Sequence, residues 1–457
     1  MGTYDGQDGL TLTLAGLKDL MQKAGVRKLY CKRLAPNDNS KNQPYLGPDL
    51  TAINIIPSGP TTAEITKSNK IGAAGELIFK APLKMYWLSP SGEQLLAPDA
   101  KIILYPQYPE TRFSGFLNNS KVKLSEWMDP AKRGRSVGRC LFLGVADDNK
   151  ILSFLSVPDS QLSNEISEIH SSLEREGIFF DIPFSGEADS KSQLLTRLQE
   201  ISGRGWIQGV RLQNGMRVAC NSPHCGGYTL ETLLGISPNG YSEPDFLGWE
   251  VKQYNVPNFR RLHSSIITLM TPEPNGGIYK ANGVGNFIRR YGYPDRKGRP
   301  DRINFGGVHR YSDKNALTGL KLELLGFDEQ SNRITDLNGG VALIDESGNA
   351  AAIWGFAKLI DHWKKKHNKA VYIPSLSLVG ATRSYKYGNV IKLCEGTDFL
   401  NVIASIRKKS IYYDPGLKIE NASTAPRIKC RSQFRIKSGD IDTLYDRVEN
   451  LDLKLLK

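Results

Sequence analysis

Within one short segment, Asp245-Phe246-Leu247-Gly248-Trp249-Glu250-Val251-Lys252, the chain holds two carboxylates and a lysine. FLGWEVKQY reads as a strand, so Glu250 and Lys252, two apart, share one face, with Asp245 at the end of a preceding strand or in a turn. That set suits phosphodiester hydrolysis. Two carboxylates can hold Mg2+, a hard cation that prefers oxygen ligands, beside a scissile phosphate, where it offsets developing charge. The Val251 carbonyl is a candidate further ligand, and Lys252 can orient the attacking water. Taken as a bare string, the motif equally describes a solvent-facing strand with a salt bridge.

Three features of the surroundings lift it. Upstream, GGYTLETLLG has helical spacing and offers another carboxylate, Glu231. Downstream, residues 252–321 carry thirteen Lys and Arg, including Arg289 and Arg290, against four Asp and Glu, interleaved with aromatics and glycines. That mixture suits phosphate contact and groove insertion. Later, Arg427, Lys429, Arg431 and Arg435 form a second basic cluster. Arginine pairs well with guanine O6 and N7, so Arg427, Arg431 and Arg435 are candidates for reading bases, and equally for clamping phosphates. The overall charge of +13 is compatible with a polyanionic partner but says little without this distribution. His263 and His309 read most simply as surface or core histidines. His362 and His367, in DHWKKKHNK, read as a solvated helix end.

A chain of 457 residues predicts two domains, with three allowed. FDIPFSGEADSK loses periodicity, so the boundaries fall at 1–182, a linker at 183–189, and 190–457. The first part opens with a helix over 10–24. It continues in short apolar runs (LTAINIIPS, AGELIFKAP, KIILYPQY, GRCLFLGVA, KILSFLSV) that predict a β-rich barrel or sandwich, and then a helix over 162–175. In the second part helical and strand patterns alternate, which predicts an α/β fold with a mixed central sheet. The six cysteines are sparse and scattered, so neither a disulfide framework nor a zinc site at Cys220, His224 and Cys225 is expected. The sequence shows no signal peptide and no apolar run of membrane-spanning length, so a cytoplasmic protein is the expectation.

GGYTLETLLGISPNGYSEPDFLGWEVKQ, then SSIITLMTPEP and NFIRRYGYPDRKGR, resemble the MvaI/BcnI type of restriction endonuclease, relatives of the mismatch-repair nickase MutH. The resemblance spans nearly all of 190–457. It implies a PD-ExK nuclease fold in which Asp245 and Glu250 bind the metal, Lys252 is the catalytic lysine and Glu231 the accessory acid. It also implies a monomer that cuts the two strands of CCWGG- or CCSGG-type double-stranded DNA in succession, without a protein partner. IKCRSQFRI takes the place of a His-rich recognition loop; Cys430 and Arg431 stand where histidines are expected, while Arg435 matches. In the first part, Lys32-Arg33-Leu34-Ala35-Pro36-Asn37-Asp38-Asn39, continuing to Gln43, resembles a DNA-gripping loop of the EcoRII effector-binding domain, a pseudobarrel. A second arm would lie at Glu110, Thr111 and Arg112, with Trp127, Arg133 and Arg135 beyond. The implication is a second DNA copy bound at the N-terminal domain. The competing readings are a MutH-like nickase of DNA repair and a non-catalytic reader of specific or modified DNA.

Overall fold

The computed structural model describes residues 4–36, 43–47, 51–66, 75–107, 110–184, 190–236, 244–364 and 366–456. Contacts divide the chain into two units, Met1–Asp189 and Ser190–Lys457.

The first unit is built on two sheets. One runs in the order Arg175–Glu176, Phe179–Ile182, Val26–Arg33, Cys140–Ala146, Ile151–Ser156, Met85–Leu88, Gln94–Leu96. The other runs Tyr45–Gly47, Glu110–Ser114, Lys101–Tyr105, Leu77–Pro82, Thr62–Ile65. The opening helix, Leu14–Lys23, starts where the Thr13 side chain accepts the Gly16 N–H. Two expectations fail here. LTAINIIPS contributes a helix, Thr51–Ile55, and not a strand. Its buried positions Ala52, Ile53, Ile55 and Ile56 follow helical spacing, a distinction that so short an apolar run conceals. The second helix stops at Ile169, and Arg175 instead joins a strand.

In the second unit, the helix Ser190–Gly203 (α1) buries Leu194, Leu198 and Ile201 at helical spacing. They pack in one core with Trp249, Val251, Val371, Ile373 and Leu393. Next comes a two-stranded hairpin, Val210–Gln213 (β1) and Met216–Ala219 (β2), which pairs with no other strand among the described residues. The helix Cys225–Leu234 (α2) follows. The sheet that organises the unit is mixed. Its long central strand, Lys369–Leu378 (β4), pairs antiparallel with Ser384–Tyr387 and Val390–Glu395, and parallel with Glu250–Asn255 (β3). The register sets Glu250 opposite Ala370 and Lys252 opposite Tyr372. Between β3 and β4 lie the strand Ile266–Met270, the helices Gly277–Ala281 and Gly283–Tyr291, further small sheets, and the helix Phe356–Lys364 (α3).

One disulfide departs from expectation. Cys220, just past the hairpin, is bonded to Cys225, the first residue of α2; Cys31, Cys140 and Cys394 are free and buried, and Cys430 is free and exposed. The hairpin turns back onto the helix start and brings the two Cα atoms to 5.7 Å, a proximity that sequence spacing alone cannot reveal.

Candidate functional site

Two short backbone devices place the acids. At the end of α2, the Gly235 N–H donates to the Thr232 carbonyl and the Ile236 N–H to the Glu231 carbonyl, with Gly235 at φ 77°. This paired closure fixes the last helical turn, which bears Glu231. Before β3, Phe246 and Trp249 exchange both backbone hydrogen bonds around Leu247 (φ 46°) and Gly248 (φ 89°). A two-residue turn with both φ values positive reverses the chain tightly. It folds Asp245 back onto the start of β3, where its Oδ2 accepts the Val251 N–H at 2.9 Å.

Glu250 and Lys252 share a face of β3, as the spacing predicts, and the Lys252 ammonium donates to Glu250 Oε1 at 2.8 Å. Glu250 is 3% exposed, and its Oε2 has no hydrogen-bond partner among the described residues. The ammonium of Lys366, from the turn between α3 and β4, lies 3.5 Å from that oxygen and 3.9 Å from Asp245 Oδ1. His367 is the next residue. It is buried and stacked on Trp363 at 3.9 Å, with its Nδ1 unpartnered among the described residues. DHWKKKHNK is thus not a solvated helix end throughout: Trp363, Lys364 and His367 are buried, and Lys366 faces the acids.

Charge balance in this cluster is uneven. Burial, reinforced by the Glu250 charge, pushes the Asp245 carboxyl up to about 6. Burial, then the charges of Asp245 and Glu250, raises Glu231 as well. Glu250 is also penalised by burial, but the Lys252 ammonium, bonded to it, and Lys366 outweigh that and hold it at about 2. For Lys252 burial works against the charge, and its acidic neighbours, Glu250 foremost, overcome it, so the ammonium is more tightly protonated than usual. Burial beside Lys252 drops His367 to about 3, so its ring is neutral. Three acids and two lysines therefore converge with one negative charge incompletely matched. A buried carboxylate oxygen with no hydrogen bond among the described residues, met only by the Lys366 ammonium at 3.5 Å, beside a second carboxylate of raised proton affinity, is a place where a cation would be bound. Among the described residues, no three His, Cys, Asp or Glu side chains stand close enough to hold a metal by themselves. Two acids supplemented by a backbone carbonyl, solvent and a phosphate fit magnesium, which keeps several waters.

The remaining residues singled out by the sequence are distributed as follows. Arg427 and Arg431 are exposed at the rim of the small sheet formed by Arg302–Gly306, Gly416–Glu420 and Arg427–Lys429. Beside them opens a cleft of ≈ 690 Å³ whose lining includes Arg296, Lys297, Arg299, Lys429 and Arg431. Arg435 is ion-paired with Asp414 at 2.6 Å. Arg289 donates to the Ala422 carbonyl at 2.5 Å, and Arg290 lies 3.4 Å from Asp345. His309 is a core residue bonded to Thr318 at 2.8 Å, and His263 is exposed. In the first unit, Lys32 is half-buried, and Arg33 meets the His170 ring at 2.9 Å. Gln43 donates to Ser114 at 3.0 Å, and Glu110 pairs with Arg112 at 2.8 Å. Asn37, Asp38 and Asn39 lie outside the described residues.

A buried glutamate beside a half-buried aspartate, a lysine bonded to the glutamate and a further acid on the adjoining helix define a site suited to cation-assisted hydrolysis of an anionic ester. The chain belongs to the MvaI/BcnI restriction endonuclease family, which it matches over residues 195–445, and so is a site-specific deoxyribonuclease. Two solved structures of MvaI resemble it, each covering 58% of this chain and 99% of its own. One is a complex with cognate DNA, 19% identical with a TM-score of 0.43; the other lacks DNA, with 16% and 0.33. No curated protein matches the sequence.

Proposed function

We propose that this restriction endonuclease is magnesium-dependent and cuts a short CCWGG-type site with the acids and lysine around β3. The carrying observation is the buried Glu250 Oε2, free of any hydrogen bond among the described residues, which shares the Lys366 ammonium with Asp245. Asp245, Glu250 and the Val251 carbonyl would hold the metal, which when bound supplies charge neutralisation at the phosphate and a more acidic water. Lys252, fixed by Glu250, orients the attacking water and balances charge at phosphorus. Glu231, with its raised proton affinity, can take part in proton transfer at the edge of the site. Water adds to phosphorus, one P–O bond breaks, and the departing oxygen takes up a proton.

Arg427 and Arg431, exposed and without a carboxylate partner among the described residues, are the better candidates for reading guanine. Arg435 is held in an ion pair with Asp414, while Arg289 and Arg290, exposed though they touch Ala422 and Asp345, would contact the DNA backbone. The first unit would be a pseudobarrel that grips a second DNA copy through Lys32, Arg33, Asn37, Asp38, Asn39, Gln43, Glu110 and Arg112. The enzyme would then work as a monomer that cuts the strands in succession.

Digesting a sequenced plasmid with magnesium and mapping the ends tests the chemistry and the site together. Linear fragments ending within CCWGG are expected. Nicked circles alone would favour a nickase, and bound but intact DNA a non-catalytic reader. Plasmids with one site and two sites, compared side by side, test the second copy: equal rates would remove the effector role and leave the nuclease.

A further inference from the structure

The hairpin β1–β2 has no part in the site described above, yet it is fastened to the helix that carries Glu231. Gly209, at its base, is enclosed by the carbonyls of Cys220 and Arg383, which a Cβ would strike at 2.2 and 3.0 Å. The Thr229 hydroxyl bonds both the N–H and the carbonyl of Val210 (3.0 and 3.1 Å). The Cys220–Cys225 disulfide ties the end of β2 to the first turn of α2. Hairpin and helix are therefore one rigid piece. At the far end, Asn214 (φ 52°) and Gly215 (φ 77°) make a two-residue turn between Gln213 and Met216.

What this piece presents is unusual in two ways. From residue 201 to 230 the sequence contains no Asp or Glu, while Arg204, Arg211 and Arg217 lie within it. Arg211 meets only Gln213, at 3.1 Å, and neither it nor Arg217 has a carboxylate partner among the described residues. Large apolar side chains are exposed alongside: Trp206 at 47%, Met216 at 67% and Tyr228 at 45%. Arg211 and Gln213 on the hairpin, with Tyr228 and Glu231 on α2, line one open hollow. A narrow ribbon with two arginines free of carboxylate partners among the described residues and no acids, beside an exposed Tyr228 on α2, is matched in charge and shape to a polyanion that a two-stranded arm can embrace.

We propose that β1–β2 is a DNA arm that holds the phosphates of the duplex flanking the cut, with Arg211 and Arg217 as its phosphate contacts. Because the arm and Glu231 share one rigid piece, a duplex held by the arm is brought into line with the acids around β3. The inference rests on the nuclease reading above. It adds a contact surface outside both the metal-binding acids and the late arginine cluster.

The test is binding of the full-length protein to a labelled duplex containing the site. Calcium replaces magnesium to suppress cutting, and anisotropy is read across a salt series. Each phosphate contact contributes about 0.9 to the slope of log K against log salt. The double variant Arg211→Ala/Arg217→Ala should flatten the slope by about 1.8. Arg211→Lys/Arg217→Lys should keep most of it, since a lysine still neutralises a phosphate. Both residues are exposed, so a melting curve matching wild type verifies the fold. An unchanged slope in the alanine variant, while the wild type binds and cuts, overturns the arm and leaves the nuclease standing. A wild type that never cuts in magnesium overturns the nuclease reading itself.

Discussion

Asp245→Asn should make the metal-free protein more stable while abolishing cleavage. The asparagine oxygen can still accept the Val251 N–H that Asp245 accepts at 2.9 Å, so the turn keeps its shape. What disappears is a half-buried charge facing Glu250. The carboxyl has its proton affinity raised from 3.8 to about 6, and its side chain is 19% exposed. At about 1.4 kcal/mol for each pH unit, the ionised form costs the fold up to about 3 kcal/mol. The folded protein binds this proton more tightly than the unfolded chain does. Its stability therefore falls as pH rises from 3.8 to 6, and the full penalty stands above 6. In EDTA at pH 8 the variant should melt at a higher temperature than wild type, and the gap should close as pH drops towards 4. Added magnesium should raise the melting temperature of the wild type at pH 8 and leave the variant nearly unmoved, since bound metal stabilises only the state that holds it. If Asp245→Asn is no more stable than wild type in EDTA at pH 8, or if the gap persists unchanged at pH 4, the reasoning fails.

Three further expectations follow from the same geometry. Lys252→Met should lower the cutting rate about 100-fold or more. It should also cost about 3 kcal/mol of stability, because it strands the buried Glu250 with only Lys366 nearby; single-turnover cleavage and urea unfolding read the two effects. Leu247→Asn should add about 1 kcal/mol, because asparagine accepts the left-handed backbone at φ 46° more readily than leucine, and unchanged or lower melting would contradict it. Denatured without reductant, the protein should expose four reactive thiols and not six, and Cys220→Ser/Cys225→Ser should cost about 2 kcal/mol for so short a loop.

The catalytic segment could be read from the sequence because its parts are near neighbours. Strand alternation puts Glu250 and Lys252 on one face, and only a turn is needed to return Asp245. Lys366 and His367 were illegible for the opposite reason. They reach the site through a parallel pairing with residues more than a hundred positions earlier, and the lysines around them resemble a solvated face. Nothing in DHWKKKHNK signals that Trp363 would stack on His367 and draw it inside. Arginines posed the reverse problem. Composition marks 252–321 as basic but does not separate Arg289, spent on the Ala422 carbonyl, from cations that remain open. LTAINIIPS shows the limit for short runs, where a single buried helical turn and a strand share one apolar composition.

Among the described residues, the strand that carries Glu250 and Lys252 has one partner in its sheet, Lys369–Leu378, and that partner lies beyond the whole intervening region. During synthesis β3 must leave the ribosome with nothing to pair against until more than a hundred further residues have followed. Asp245 can fold back onto Val251 early, but β3 has no strand to hold it, and Lys366 is absent, until that later stretch has emerged. The catalytic face is thus completed late in the chain, and Arg427 and Arg431, proposed to read the bases, follow later still, beyond β4.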